Sequence, residues 1–130
     1  MKENDVMKRY TLEEANQLLP VLSKEFDSLH NLQREFDLWY ESFQQVEPQL
    51  NAEEKAAWEK RIQFMELEAE MFISNILSHG VWFEDAFSST LHFPAILNGE
   101  KGVFKWHPEE PVITIYESVE EKLDSLHLVN

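Results

Sequence analysis

The residues able to carry chemistry are few: Glu13, Glu14, His79, His92, His107, Glu109, Glu110 and Glu117. The chain has no cysteine, so thiolate nucleophiles, thiolate metal sites and disulfides are excluded. A His/carboxylate metal centre needs three or four donors at ~2 Å from one ion, and its candidates are His79, His92, His107 and Glu117. No fixed ligand spacing supports that reading. The plainer one makes Glu14 a helix cap, His79 a residue near a helix C-terminus, and His92 and His107 strand or turn residues. A small-molecule site has Glu14, Asn16, His79, Trp106 and Glu110 as its candidates. Glu109 and Glu110 are adjacent and so face apart, which suits a solvated turn better than an acid–base pair. There is no phosphate-cradling glycine loop, no Gly-x-Ser-x-Gly elbow and no His-Glu-x-x-His. No cofactor is expected.

Two helices and a short-stranded region after them have to position these residues. Thr11 with Glu14 forms a capping box, and Glu13 and Glu14 suit the positive end of a helix dipole. From there Ala15, Leu19, Leu22, Phe26, Leu29, Phe36, Tyr40 and Phe43 alternate steps of four and three, the signature of a coiled-coil-like seam. Gln33 is the polar occupant of that series, either specifying register from within or pointing to water. The spacing predicts helix 1 over 11–46 with a kink near Pro20, which removes a ladder bond and clashes with the carbonyl of Asn16. Asn51 and Glu54 cap helix 2, predicted over 51–79, with the seam Trp58, Ile62, Met65, Ala69, Phe72 and Ile76. Gly80 stands where a left-handed residue ends a helix. So short a connector makes the helices antiparallel, and folding about residues 48–49 sets Phe43 opposite Glu54 and Phe26 opposite Met71.

After Gly80 the period changes. Short runs at Val81–Phe83, Thr90–Phe93, Val103–Trp106 and Val112–Tyr116 predict a small antiparallel sheet over 81–117, with Asn98-Gly99 as a turn. Pro94 marks an edge strand or a strand end. The aromatics Trp82, Phe83, Phe93, Phe104, Trp106 and Tyr116 fill a layer between sheet and helices, or line a groove. Ser118 and Glu121 suggest a short last helix within 118–127. Residues 1–9 are polar and expected to fray. The fold class is therefore α+β: a long antiparallel two-helix hairpin, a small antiparallel meander and a short C-terminal helix, all within one domain spanning 1–130.

Composition narrows the function. With 130 residues, a net charge of −14 and a pI near 4.6, the surface repels phosphate backbones and anionic membranes. Neither a nucleic-acid partner nor a membrane is expected. The N-terminus lacks a signal-peptide pattern and nothing approaches the ~20 apolar residues of a span, which implies a cytoplasmic protein.

Tyr10-Thr11-Leu12-Glu13-Glu14-Ala15-Asn16-Gln17-Leu18-Leu19-Pro20 resembles the opening aromatic-Thr-Leu-Glu-Glu-Ala-Asn-x-Leu-Leu-Pro segment of a bacterial family, domain of unknown function 2203. His79-Gly80 is similar to that family's helix exit, Leu91-His92-Phe93-Pro94-Ala95 to its Val-Asp-Phe-Pro-Ala, and Trp106 with Glu110 to its Cys-Trp-x-x-Gly-Glu. The resemblance covers nearly the whole chain. The departures lie late: His92, Lys105, His107 and Glu109 stand where the family has Asp, Cys, Arg and Gly, and Tyr116-Glu117 replaces a Trp-His pair. The resemblance implies a fold and carries no established activity.

Both helices hold more apolar surface than their seam consumes. Phe36, Trp39, Tyr40, Phe43, Trp58 and Phe64 are therefore candidate interface residues for a homodimer, with a four-helix bundle as one form of it, or for another protein. The reading adopted is a non-enzymatic interaction or regulatory protein, acting through that apolar end and an acidic surface that either is simply a solvated face or docks a basic partner. The alternative is an enzyme, metal-dependent or acting on a small molecule, with its site between the start of helix 1, the end of helix 2 and the sheet.

Overall fold

The computed structural model describes residues 8–85 and 88–119. Both capping boxes form as the sequence requires. Thr11 N–H donates to Glu14 Oε1 (3.0 Å) while Glu14 N–H donates to Thr11 Oγ1 (3.1 Å). Asn51 and Glu54 reciprocate in the same way at 3.0 and 2.8 Å. These caps satisfy amides that a helix start leaves unpaired. Helix α1 spans Leu12–Val46 and continues through Pro20, and α2 spans Ala52–Leu77. A 3₁₀ turn, Glu47–Gln49, with Pro48 inside it, joins them. Gly80, at φ +81°, takes the left-handed position expected after the second helix.

Four strands come next: β1 Trp82–Phe83, β2 Leu91–Leu97, β3 Glu100–Trp106 and β4 Ile115–Ser118. They pair antiparallel in the order β1-β2-β3-β4. Asn98 (φ 55°) and Gly99 (φ 80°) make the two-residue turn between Leu97 and Glu100, the geometry that matches strand twist. The β2–β3 hairpin is longer than the hydrophobic runs suggest, because polar Lys101 and small Gly102 extend the ladder without adding an apolar signal. The last strand differs in the other direction. Val112 and Ile113 lie outside it, and the Ile113 amide is bonded by a side chain of α1 instead of a neighbouring strand. The suggested helix over 118–127 falls, beyond Val119, outside the described residues; Ser118 itself is the buried last residue of β4.

The chain packs as two compact units. One comprises the residues up to Ser23 together with those from Ile76 onward. Its core gathers Tyr10, Ala15, Leu19 and Leu22 from the start, then Ile76, Val81 and the inward faces of β2 and β3. On β3 the alternation is clean: Gly102, Phe104 and Trp106 point in, and Lys101 points out.

The other unit is Lys24–Asn75. Here the two helices run antiparallel, with the Trp39 and Trp58 rings 4.5 Å apart and Phe43 5.8 Å from Trp58. A chain folded back about 48–49 places Trp39 against Trp58 in just this way. Ion pairs Arg61–Glu35 (3.6 Å) and Lys55–Glu47 (3.0 Å) are exposed, where solvent screening leaves such pairs little weight in stability. Gln33 is exposed, which answers its two readings in favour of water. Trp39 Nε1 is buried and has no acceptor among the described residues.

Candidate functional site

Every residue weighed for chemistry lies in the unit that holds the sheet. The geometry there starts from Tyr10. Its N–H donates to the Pro94 carbonyl (2.7 Å) and its own carbonyl accepts from Ile96 N–H (2.9 Å), a parallel bridge to Ala95 on the side of β2 that the two-residue β1 leaves uncovered. Pro94 therefore lies inside an interior strand that runs on to Leu97, and not in an edge strand or at a strand end; it is tolerated there because its missing N–H faces away from β3. The Tyr10 ring stands edge-on to Phe93 at 5.8 Å, and its hydroxyl donates to the carbonyl of His79. One residue thus ties the start of α1 to the exit of α2 and to the sheet.

Residues 8 and 9 are not frayed. Arg9 donates to the carbonyls of Ala95 (3.3 Å) and Gly102 (3.2 Å), and the Lys8 ammonium lies 5.1 Å above the Tyr10 ring. No periodic signal marks this strap, which is why the polar composition of the N-terminus suggests a loose end.

Asn16 Oδ1 accepts from the Ile113 amide at 2.9 Å, pinning the loop before β4 to α1. Trp106 is buried and its indole N–H donates to the Glu110 carbonyl (2.9 Å). Glu110 also accepts from His107 N–H through Oε1 (2.8 Å), and its own N–H returns to the His107 carbonyl at 2.8 Å. The structure therefore brings Trp106 and Glu110 together, with Asn16 bonded to the same connection a few residues on. These bonds all run to backbone, and they shape the β3–β4 loop. Glu14 is held below its ordinary 4.5 by the Thr11 backbone N–H, the mark of a capping carboxylate.

His92 and His107 have separate partners. His92 Nε2 sits 3.1 Å from Glu84 Oε1, with its ring 5.6 Å from Trp82. His107 Nδ1 accepts from Glu109 N–H at 3.4 Å. Glu117 pairs with Lys105 at 3.5 Å. Among the described residues, no three His, Asp or Glu side chains gather where they could hold a metal ion. Of the candidate ligands, then, His92, His107 and Glu117 are each engaged elsewhere. A cleft of 170 Å³ in this unit is lined by Leu12, Leu97, Phe104, Ile113, Ile115 and Tyr116 with Thr114, and by none of the ligand-site candidates. It is smaller than the ~300 Å³ at which small-molecule pockets begin.

Tyr10 gives this cluster a pH dependence. Burial, and then the Glu14 carboxylate, raise its phenol above the ordinary 10.0. The neutral form is the one the fold favours, so its contribution is complete below pH 10.0 and is lost as pH rises through the folded value. Urea unfolding should show stability falling above that pH in the native chain. Tyr10→Phe should be less stable at neutral pH by about 1–2 kcal/mol, having left the His79 carbonyl without its donor, and should show a flatter alkaline limb. Parallel alkaline limbs in the two proteins would remove Tyr10 from this role.

Among the described residues no helix is long and apolar enough to cross a membrane. No curated protein and no solved structure matches the chain. The family model described as Uncharacterized conserved protein (DUF2203) matches residues 8–125, which include the Tyr10 bridge, both capping boxes and the whole sheet, and the chain belongs to that family.

Proposed function

We propose that this protein is a non-enzymatic interaction module that self-associates through its helical unit. The observation that carries the reading is a run of large apolar side chains exposed on one side of that unit. Phe64, Leu67 and Met71 are 53%, 62% and 53% exposed and recur at helical spacing along α2, and Leu38 on α1 is 67% exposed. Leu38 lines a shallow cleft with Leu32, Phe72, Arg34, Glu35 and Glu68, so the surrounding charge is mixed. A mixed border suits a two-fold contact, in which each acidic group meets a basic one of the second copy. Arg61, whose guanidinium lies 5.9 Å from both the Trp39 and Phe64 rings, belongs to the same side.

The interface candidates divide accordingly. Phe43 is only 7% exposed and belongs to the seam within the hairpin, as do the half-buried Trp39 and Trp58 in part. Phe64 and Tyr40 remain outward, and Phe36 is half-buried. Sedimentation velocity on the native chain should give the mass of a dimer. The double variant Leu67→Glu/Met71→Glu should sediment as a monomer with unchanged helical circular dichroism, because burying two carboxylates against apolar surface opposes association far more than folding. A native chain that is monomeric at high concentration would refute the reading.

A further inference from the structure

The geometry points to a second binding face on the helical unit: an apolar groove that docks a basic amphipathic helix of a partner protein. The inference rests on reading the chain as an interaction module, but its groove shares with the cleft of the proposed self-contact the buried Leu32 alone among their lining residues. The groove has a volume of 330 Å³ and a floor of Leu29, Leu32 and Phe36 from α1 with Met65 and Ala69 from α2. Gln33 and Glu66 complete its lining, so a carboxylate is the charge it presents. Helical spacing extends that border. Asp37 and Glu41 succeed Gln33 by one and two turns along α1, and Glu59 and Glu70 flank Glu66 along α2. All of these carboxylates are exposed. Lys55, toward the turn end, is already engaged by Glu47 at 3.0 Å.

Charge selects the occupant. A second copy carries a net charge of −14 and would bring like charge to an acidic rim, whereas the mixed border of the other face does not oppose it. A helix with apolar anchors at i, i+3 or i+4 and i+7 fills such a groove, and lysines or arginines on its flanks reach the carboxylates on both sides. Met65 in the floor can repack around anchors of different shape.

The test uses the full-length chain and a labelled synthetic Lys/Leu peptide of helical amphipathic pattern, read by fluorescence anisotropy. Its controls are a scrambled peptide of the same composition and a Glu/Leu peptide of the same pattern. The Lys/Leu helix should bind saturably, and about 0.5 M salt should weaken it roughly tenfold. Reversal of the rim, Glu59→Lys/Glu66→Lys/Glu70→Lys, should weaken it to a similar degree, and Ala69→Trp, which fills the groove, should abolish it, circular dichroism confirming both folds. Equal binding of the scrambled peptide or of the Glu/Leu peptide would overturn the inference, as would indifference to Ala69→Trp. Conversion of the dimer to monomer by Ala69→Trp would assign the groove to a second copy and also overturn it. The Leu67→Glu/Met71→Glu chain should bind the peptide as the native chain does, so loss of self-association and loss of the groove are read separately.

Discussion

Gly102→Ala should cost roughly 3 kcal/mol, the upper end for an overpacked site, and lower Tm by about 10 °C. A Cβ on Gly102 would lie 2.5 Å from the Glu117 carbonyl oxygen and 2.5 and 2.7 Å from Cε1 and Cζ of Tyr116. Neither obstacle yields cheaply. The carbonyl belongs to β4, held in register by Val103↔Glu117. The ring is tethered by its hydroxyl, which donates toward the Glu100 carbonyl (3.3 Å) and carboxylate (3.1 Å). Tyr116 lies across the place a side chain would occupy, so glycine here fills its site with a neighbour's ring. Gly99→Ala is the comparison that separates mechanisms. Nothing lies within 4 Å of its Cβ, yet its φ of +80° strains an L-residue, and the expected cost is only about 1 kcal/mol. Adding Tyr116→Ala to Gly102→Ala should restore only part of the loss, since the carbonyl remains. Thermal melts in which the two glycine variants behave alike would show that backbone freedom, and not steric contact, fixes Gly102.

Periodic interactions are the ones legible in the sequence. Two capping boxes, a left-handed Gly80 and the Asn98-Gly99 turn each rest on local spacing, and each forms where the residues predict; of the α1 series, Phe26 and Phe43 are buried while Tyr40 and Gln33 face outward. The order of the meander is legible too, because short connections leave adjacent strands little choice but to pair. The interactions that bind the sheet-bearing unit together are not. Tyr10 to His79, Arg9 to Gly102, Asn16 to Ile113 and Gly102 beneath Tyr116 join residues far apart in the chain, mostly through single backbone groups. A carbonyl or an amide leaves no trace in residue type, so its partner side chain reads as an unexplained polar residue. For that reason Asn16 stands out in the sequence as a ligand candidate. Glu14, Asn16, Trp106 and Glu110 do share one unit, and their polar atoms have structural partners there.

Trp106→Ala tests that account most severely, with an expected loss of about 3–5 kcal/mol. Trp106 is 1% exposed, packs edge-on to Phe93 at 6.5 Å and is among the largest side chains fully buried in the protein. Removing it empties a volume bordered by a sheet whose ladder cannot close inward. Trp106→Phe divides the effect. It retains an aromatic body, removes the N–H that Glu110 accepts, and should cost about 1–2 kcal/mol. Hydrogen exchange at the Glu110 and His107 amides should then quicken more than at Phe104, because the turn is still held by Glu110 Oε1 and the His107 carbonyl but has lost its anchor to the core. A ligand-contacting tryptophan behaves in the opposite way. It is partly open to its pocket, and its loss spares stability while removing binding. Trp106→Ala that unfolds with the native chain's urea midpoint would therefore return Trp106, and Glu110 with it, to the small-molecule reading and count against a purely structural β3–β4 loop.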